Sequence, residues 1–263
     1  MTLLTAAPRA VILAAGLGSR LRPLTNERPK PLIEVHGTPI LHNALWHLAD
    51  AGVREVTLVV GYQKEVIERA CGREFAGIHL TYTESDAFDR TGSAYSLWLA
   101  RETLLHGGTL LFEGDVFFEP AILTRLLASK HRDVGAVAPF TQIMSGSAVT
   151  LVEGGLIDRV HMNQSADSSN GTPLFKTLNL YRFEAETLKR TLVPALDAWI
   201  NSGNTRSYVE QVLASLIEQR RLELAAVDCG DLNWFEIDNE ADLRTAEAIF
   251  APVECRATDN TFA

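Results

Sequence analysis

The stretch Arg9 to Leu32, RAVILAAGLGSRLRPLTNERPKPL, constrains this chain more than any other part of it. Its apolar run, Ala10 to Ala15, is continuous and does not alternate, which is the pattern of a strand buried on both faces of a parallel sheet. Gly16-Leu17-Gly18-Ser19-Arg20 follows at once. Glycines here permit a tight path and close approach of a ligand, and the N–H groups of such a loop can face a phosphate. Arg28, Pro29, Lys30 and Pro31 then place positive charge on a proline-pinned path just beyond. The segment is not a dinucleotide fingerprint, because Leu21 stands where the third glycine is required, and no Gly-Lys-Ser/Thr follows to make it a P-loop.

The rest of the chain continues the α/β rhythm. Ile40, Leu41, Ala44, Leu45, Leu48 and Ala49 recur at helical spacing, with Thr38 expected as N-cap, Pro39 at the first helical position and Gly52 as the stop. Val56–Val60 and Ile78–Tyr82 read as strands around a helix at Gln63–Ala70. A helix at Ser93–Leu105, a strand at Thr109–Phe112 ending in Glu113-Gly114-Asp115, a helix at Glu119–Ser129 and a strand at Val134–Pro139 complete a doubly wound pattern. The expected fold class is α/β: a Rossmann-like, mixed and mostly parallel sheet with helices on both faces. After Phe140 the pattern changes. Ala148–Val152 and Leu156–His161 form a hairpin about Glu153-Gly154-Gly155, and Asn163–Thr172 is a polar loop expected to be mobile. Leu174–Phe183 is a strand, Glu184–Trp199 and Arg206–Arg220 are helices, Leu222–Val227 and Trp234–Ile237 are strands, and Glu240–Phe250 is the last helix. This second part reads as a smaller region built onto the main sheet. The expected organisation is one domain over residues 1–250, with parts at about 9–140 and about 141–250, and a frayed tail at 251–263.

Size and charge narrow the function. The 263 residues suit one large α/β domain, and a formal net charge of -9 argues against non-specific nucleic-acid binding. The three cysteines, Cys71, Cys229 and Cys255, form no Cys-x-x-Cys pair, so neither a disulfide framework nor a zinc site is suggested, and a reducing, cytoplasmic setting is expected. Residues 1–8 read as a flexible lead-in without the cationic start and apolar core of a signal peptide. No apolar run is long enough to span a membrane. A homodimer is the default expectation for a globular chain of this size.

The opening stretch resembles the signature of the nucleotidyltransferases that activate sugar phosphates and small phosphorylated alcohols. The match runs through Gly16, Gly18, Ser19, Arg20, Leu21, Pro23, Leu24, Thr25, Pro29, Lys30, Pro31 and Leu32. Two later runs point to the small-acceptor cytidylyltransferases, such as the bacterial choline-phosphate type. Trp234-Phe235-Glu236-Ile237-Asp238, with Asp242-Leu243 after it, resembles their W-[YF]-E-I-D run, and Lys176–Phe183 resembles their K-x-x-N-[IL]-Y-x-F strand. The resemblance implies CTP as nucleotide and Mg²⁺ as cofactor. It also implies a small phosphate or phosphonate acceptor, such as choline phosphate or an aminoethyl- or hydroxyethylphosphonate, with pyrophosphate released.

Roles follow residue by residue. Lys30 and Arg20 are the expected catalytic cations, Arg20 forking onto phosphate oxygens and Lys30 acting as a point charge. Arg22 and Arg28 read equally well as surface charges. Leu13, Ala14, Ala15, Gly16, Gly18 and Ser19 would line the nucleotide site, with Thr91, Gly92 and Ser93 against the base, where the choline-phosphate enzymes carry paired asparagines instead. Asp115 and Asp238, each at the carboxyl end of a strand, would hold the metal, although Asp238 could equally be the N-cap of the last helix. Lys176, Asn179, Tyr181, Trp234 and Glu236 are the acceptor candidates; Tyr181, Trp234 and Glu236 could form part of a cage for a quaternary or primary amine, and Trp234 could equally be a core residue. The rival readings are a hexose-1-phosphate uridylyl- or thymidylyltransferase and an inactive nucleotide-binding regulator. Intact Lys30, Asp115 and Asp238 weigh against the second.

Overall fold

The computed structural model describes residues 9–165 and 171–250. Strands in chain order are β1 (Arg9–Ala14), β2 (Glu34–Val35), β3 (Thr38–Pro39), β4 (Glu55–Val60), β5 (Glu74–Phe75), β6 (Ile78–Glu84) and β7 (Thr109–Glu113). They continue as β8 (Val116–Phe118), β9 (Val134–Pro139), β10 (Gly146–Leu151), β11 (Ile157–Gln164), β12 (Phe175–Phe183), β13 (Ala225–Asp228) and β14 (Trp234–Glu236). The helices are α1 (Ile40–Asp50), α2 (Lys64–Cys71), α3 (Ser93–Leu99), α4 (Arg101–Leu104), α5 (Pro120–Ala128), α6 (Ala185–Thr187), α7 (Val193–Asn201), α8 (Val209–Glu218) and α9 (Glu240–Ile249).

Ten strands form one mixed sheet in the order β11-β10-β12-β7-β1-β4-β6-β5, with β9 on β12 and β13 on β9. Its centre, β7-β1-β4-β6, is parallel. The long β12 runs antiparallel to β7 and β9 and so ties the second half of the chain into the same sheet. β1 explains the arrangement locally. Ala10, Ile12 and Ala14 enter the core on one face, while Val11, Leu13 and Ala15 enter the core on the other, as the two-residue period of a strand requires. A third cluster, with Leu21, Ile33, Val35, Ile40, Phe117, Phe235 and Ile237, packs the signature stretch against the β8–β14 pair and α9. That cluster positions the site.

Several local expectations are corrected. Thr38 does not cap α1: Thr38 and Pro39 pair antiparallel with Glu34 and Val35, Thr38 is buried, and Pro39 occupies the cap position without a side-chain bond. The Ser93–Leu105 helix breaks at Ala100. The expected Glu184–Trp199 helix is a short turn of α-helix, a wide π-turn at Leu188–Leu192 and then α7. Pro194 has no N–H to donate back, so the ladder widens just before it. Asn163 and Gln164 belong to β11. The remainder of that loop from 166 to 170, and the tail from 251, lie outside the described residues.

Candidate active site

The loop after β1 is held from below by Lys30. Gly18 is left-handed, with φ 59°, and a Cβ there would lie 2.8 Å from the Cβ of Lys30. Only glycine lets the loop close over the lysine stem. The Thr25 hydroxyl donates to the Gly18 carbonyl at 2.9 Å, and 3₁₀ turns at Ser19–Leu21, Leu24–Asn26 and Lys30–Leu32 carry the chain back beneath the loop. Leu13, Ala14, Ala15, Gly16, Gly18, Ser19, Arg20 and Lys30 all line one cleft of about 360 Å³, together with Thr91, Gly92, Ser93, Asp115 and Asp238.

Lys30 is the hub of that cleft. Its Nζ donates to Asp115 Oδ2 and to Asp238 Oδ1, each at 2.7 Å, and Arg20 reaches Asp238 Oδ1 at 2.8 Å. The backbone explains the convergence. β8 pairs with β14, and the Ile237 N–H donates to the Asp115 carbonyl at 2.9 Å, which brings the two carboxylates to one spot. Burial disfavours charge on Lys30, but Asp115 and Asp238 outweigh it and hold the ammonium well above its ordinary range. Burial likewise works against charge on Asp238, and Lys30 and Arg20 overcome it to leave its carboxyl below the usual range. Arg20, with a side chain 69% exposed, can swing toward a triphosphate while Lys30, at 13%, stays in place. Asp238 does not cap α9. Asn239 does, accepting from the Ala241 and Asp242 N–H groups, while the Asp242 carboxylate takes the N–H groups of Asp238 and Asn239. The Asp238 side chain is therefore left to the cleft.

The Thr91-Gly92-Ser93 floor is fixed by the loop before α8. Gly92 N–H donates to the Thr205 carbonyl at 2.9 Å and Ala94 N–H to the Ser207 carbonyl at 3.1 Å. A Cβ on Gly92 would fall 2.2 Å from the Ser207 oxygen, so glycine is demanded by backbone approach. The Ser93 hydroxyl accepts from Val209 N–H at 3.0 Å.

Of the acceptor candidates, the structure gathers four and separates one. Lys176, 3% exposed, lies 2.7 Å from Glu236, and Glu236 also accepts from Asn179 at 3.4 Å. Thr177 and Tyr181 hydroxyls both donate to the side-chain Oδ1 of Asn179, at 3.0 and 3.2 Å. Asn179 sits at φ 56° in a break of the β12 register, which turns its amide toward Glu236. Burial, opposed by Lys176 and reinforced by Asp115 and Asp238, pushes the Glu236 carboxyl up to about 7. Trp234 stands apart. It packs in the hydrophobic core and stacks beside Phe235, so the aromatic cage with Tyr181 is not formed.

Two residues beside this network were not singled out from the sequence. Glu113, at the end of β7, lines the cleft, and Glu210, in the first turn of α8, is 7% exposed and accepts from Ser147 at 3.0 Å. An acid in a first helical turn reads as ordinary dipole complement, so Glu210 carries no sequence signal.

A sequence profile described as nucleotidyl transferase matches residues 9–145. The chain belongs to the nucleotidyltransferase family. Over 245 residues this nucleotidyltransferase is 36% identical to the CMP-5'-(3-aminopropyl)phosphonate synthase of Streptomyces rubellomurinus, a match that covers 93% of the chain but 39% of that relative. The chain thus spans about two-fifths of that protein's length. It is 27% identical to the 2-aminoethylphosphonate cytidylyltransferase of Lancefieldella rimae over 234 residues, 89% of each chain. The fold of this nucleotidyltransferase matches that of the CTP:phosphocholine cytidylyltransferase of Streptococcus pneumoniae with a TM-score of 0.76 at 21% identity, covering 93% of this chain and 99% of the other. Among the described residues no helix is long and apolar enough to cross a membrane.

Proposed function

We propose that this nucleotidyltransferase transfers CMP from CTP to a small phosphate monoester or phosphonate and releases pyrophosphate. The observation that carries the reading is the shared seat of Lys30, Asp115 and Asp238 beneath the Gly16–Ser19 loop. The activities named for the two phosphonate relatives support the choice of CTP and of a small acceptor. An acceptor oxyanion attacks the α-phosphorus in line, a new P–O bond forms, and the bond to the pyrophosphate oxygen breaks. A phosphate ester is largely dianionic at neutral pH because its second ionisation lies near ~6, so no general base is needed for that oxygen. The protein's contribution is positioning and charge neutralisation. Loop N–H groups and Arg20 orient the triphosphate, Lys30 faces the charge that grows at the α-phosphate, and Lys176 offsets the incoming acceptor.

The residues present fit Mg²⁺. Asp115 Oδ1 is buried with no hydrogen-bond partner in the protein, and Asp238 lies beside it through Lys30. Two carboxylates and several phosphate and water oxygens are the usual Mg²⁺ set, and among the described residues no group of three or more His, Cys, Asp or Glu forms a protein-only cage. Bound there, Mg²⁺ would supply Lewis-acid polarisation of the α-phosphate.

The test is pyrophosphate release by purified protein with Mg²⁺, each of the four ribonucleoside triphosphates in turn, and a panel of phosphomonoesters, phosphonates and hexose 1-phosphates. At least ten-fold preference for CTP with a small acceptor is expected. Comparable release with a purine triphosphate, or with a hexose 1-phosphate alone, would reject the reading.

A further inference from the structure

A second hollow, of about 580 Å³, lies at the opposite edge of the sheet from the catalytic cleft. It opens at the amino ends of β9 and β13, where Val134 is paired with Ala225. β9 is antiparallel to β12, and β12 to β7, so β9 points the same way as β7 and β1, whose carboxyl ends hold the loop and Asp115. The two sites are therefore separate. α8 runs from one toward the other: its Val209 N–H is tied to Ser93 at the cleft floor, and the turn after its last residue brings Arg220 and Arg221 to the hollow. A ten-residue helix such as α8 is roughly 15 Å long.

The lining of the hollow is basic. Lys130, His131 and Arg132 come from the segment before β9, Arg190 from the wide turn at Leu188–Leu192, and Arg220 and Arg221 from the turn after α8. A chain of formal charge -9 thus gathers five of its 24 lysines and arginines around one concavity. Three acids share the lining, and two of them are already engaged. Asp133 accepts from the Glu184 N–H at 2.9 Å and from the Thr187 hydroxyl at 2.6 Å, while Glu186 pairs with Arg190. The cations are held in place. The Arg182 guanidinium donates to the carbonyls of Leu126, Leu127, Ser129 and His131, which pins the segment that carries Lys130 and Arg132. Arg220 sits at φ 56°, and the Arg221 N–H turns back to the Leu216 carbonyl at 2.9 Å. Glycine takes that left-handed position after a helix without strain, yet here it carries a long cationic side chain.

We propose that this hollow is a second anion site, which takes a small molecule bearing two or more linked phosphate groups. The assignment does not depend on the transfer reading. Arginine forks match phosphate oxygens. The cations belong to three separate segments, so a chain of phosphates can engage more than one of them where a single tetrahedral phosphate meets one alone. The volume is that of a small-ligand pocket, and the negative charge of the whole chain disfavours a nucleic-acid strand. Free pyrophosphate and the phosphate tail of a nucleotide share the required chemistry.

The experiment counts bound anions. Equilibrium dialysis of the full chain against labelled pyrophosphate, without Mg²⁺ and in about 0.15 M salt to screen loose surface attraction, compares the wild type with the double variant Arg132→Ser, Arg220→Gly. The wild type is expected to bind one more pyrophosphate per chain than the variant. A control variant, Arg69→Ser with Arg73→Ser, removes the same charge from another surface and should bind as the wild type does. Arg220→Gly alone should raise the Tm without ligand, by relieving the left-handed arginine, and should lessen the rise in Tm that pyrophosphate gives. Tripolyphosphate and CTP in place of pyrophosphate distinguish the sources. An equal difference between wild type and double variant for both assigns the phosphate chain alone, and a larger one for CTP assigns a nucleotide. A folded double variant that binds as much of each anion as the wild type, or a loss matched by the control variant, overturns the site. Retention of a single-stranded oligonucleotide with no pyrophosphate bound there overturns it in favour of a polymer surface.

Discussion

Asp115 and Asp238 share one ammonium group, that of Lys30, at 2.7 Å from each. The two carboxylates proposed to hold the divalent ion are thus kept close by a cation of the protein, with repulsion between them already offset. Lys30→Met should lower turnover by at least 10²-fold, the loss of one preorganised donor to a developing charge being worth roughly 3 kcal/mol. CTP affinity should fall less, since the loop and Arg20 remain. Single-turnover kinetics on the folded variant separate the two, and near-normal turnover would assign Lys30 a structural role alone.

Asp115→Asn and Asp238→Asn should each abolish most activity and raise the Mg²⁺ concentration for half-maximal rate. Capping no longer clouds the second substitution, because Asn239 and Asp242 close the N-terminus of α9 without help from the Asp238 side chain. Magnesium titrations of rate decide the matter. An unchanged requirement in Asp238→Asn would leave Asp115 to hold the ion alone.

Two glycines of the cleft should respond differently to alanine. A Cβ on Gly92 meets the Ser207 oxygen at 2.2 Å, whereas one on Gly16 meets nothing within 4 Å. Gly92→Ala should therefore destabilise the fold by about 1–3 kcal/mol, as overpacking does, and distort the floor of the cleft. Gly16→Ala should leave urea stability within roughly 0.5 kcal/mol while weakening nucleotide binding, since the added methyl faces the cleft. Urea melts and CTP titrations of both variants test the pair; equal loss of stability would mean that Gly16 is structural too.

Glu210 gives a pH dependence with a definite sign. Burial, opposed by the Ser147 hydrogen bond and the Lys176 charge and reinforced by Asp115, raises its carboxyl above the ordinary value of 4.5. A raised acid favours the folded state while it is protonated and loses that contribution as pH rises from the unfolded value through the folded one. Glu210→Gln should consequently melt higher than the wild type at pH 8, with the gap closing as pH falls toward 4. A gap that is constant or reversed across that range would show that Glu210 is not held against its charge.

The loop, Lys30, Asp115 and Asp238 were legible because each is encoded locally: an unbroken apolar run into Gly-x-Gly, and an acid directly after a strand. The mixed sheet was legible for the same reason, since β1 after Arg9, β4 after Glu55 save for Thr57, and β9 are apolar runs. What failed depended on pairings that a residue's own propensity does not reveal. Thr38 and Pro39 have the chemistry of a helix start, yet their pairing with Glu34 and Val35 decided otherwise. Asp238 and Asn239 are both good caps, and the reciprocal bond from Asp242 selected the second. Val116–Phe118 is too short to show a period, and it forms a strand because Trp234–Glu236 pairs with it. Trp234 reads as cage or core from its sequence alone, and only the docking of β14 on β8 settles it in the core. Glu210 lies among the buried apolar positions Val209, Val212 and Leu213 of α8 with nothing local to mark it.

The hydrogen bond from Ile237 to Asp115 has a bearing on how the protein comes into being. On the ribosome the Gly-rich loop and Lys30 emerge before Asp115, and Asp238 follows 208 positions after Lys30. A nascent chain can therefore meet a nucleotide long before it has a complete set of charges to act on it. The charge set closes only when β14 docks on β8, so a chain interrupted before Trp234 would keep the loop and Lys30 but lack Asp238.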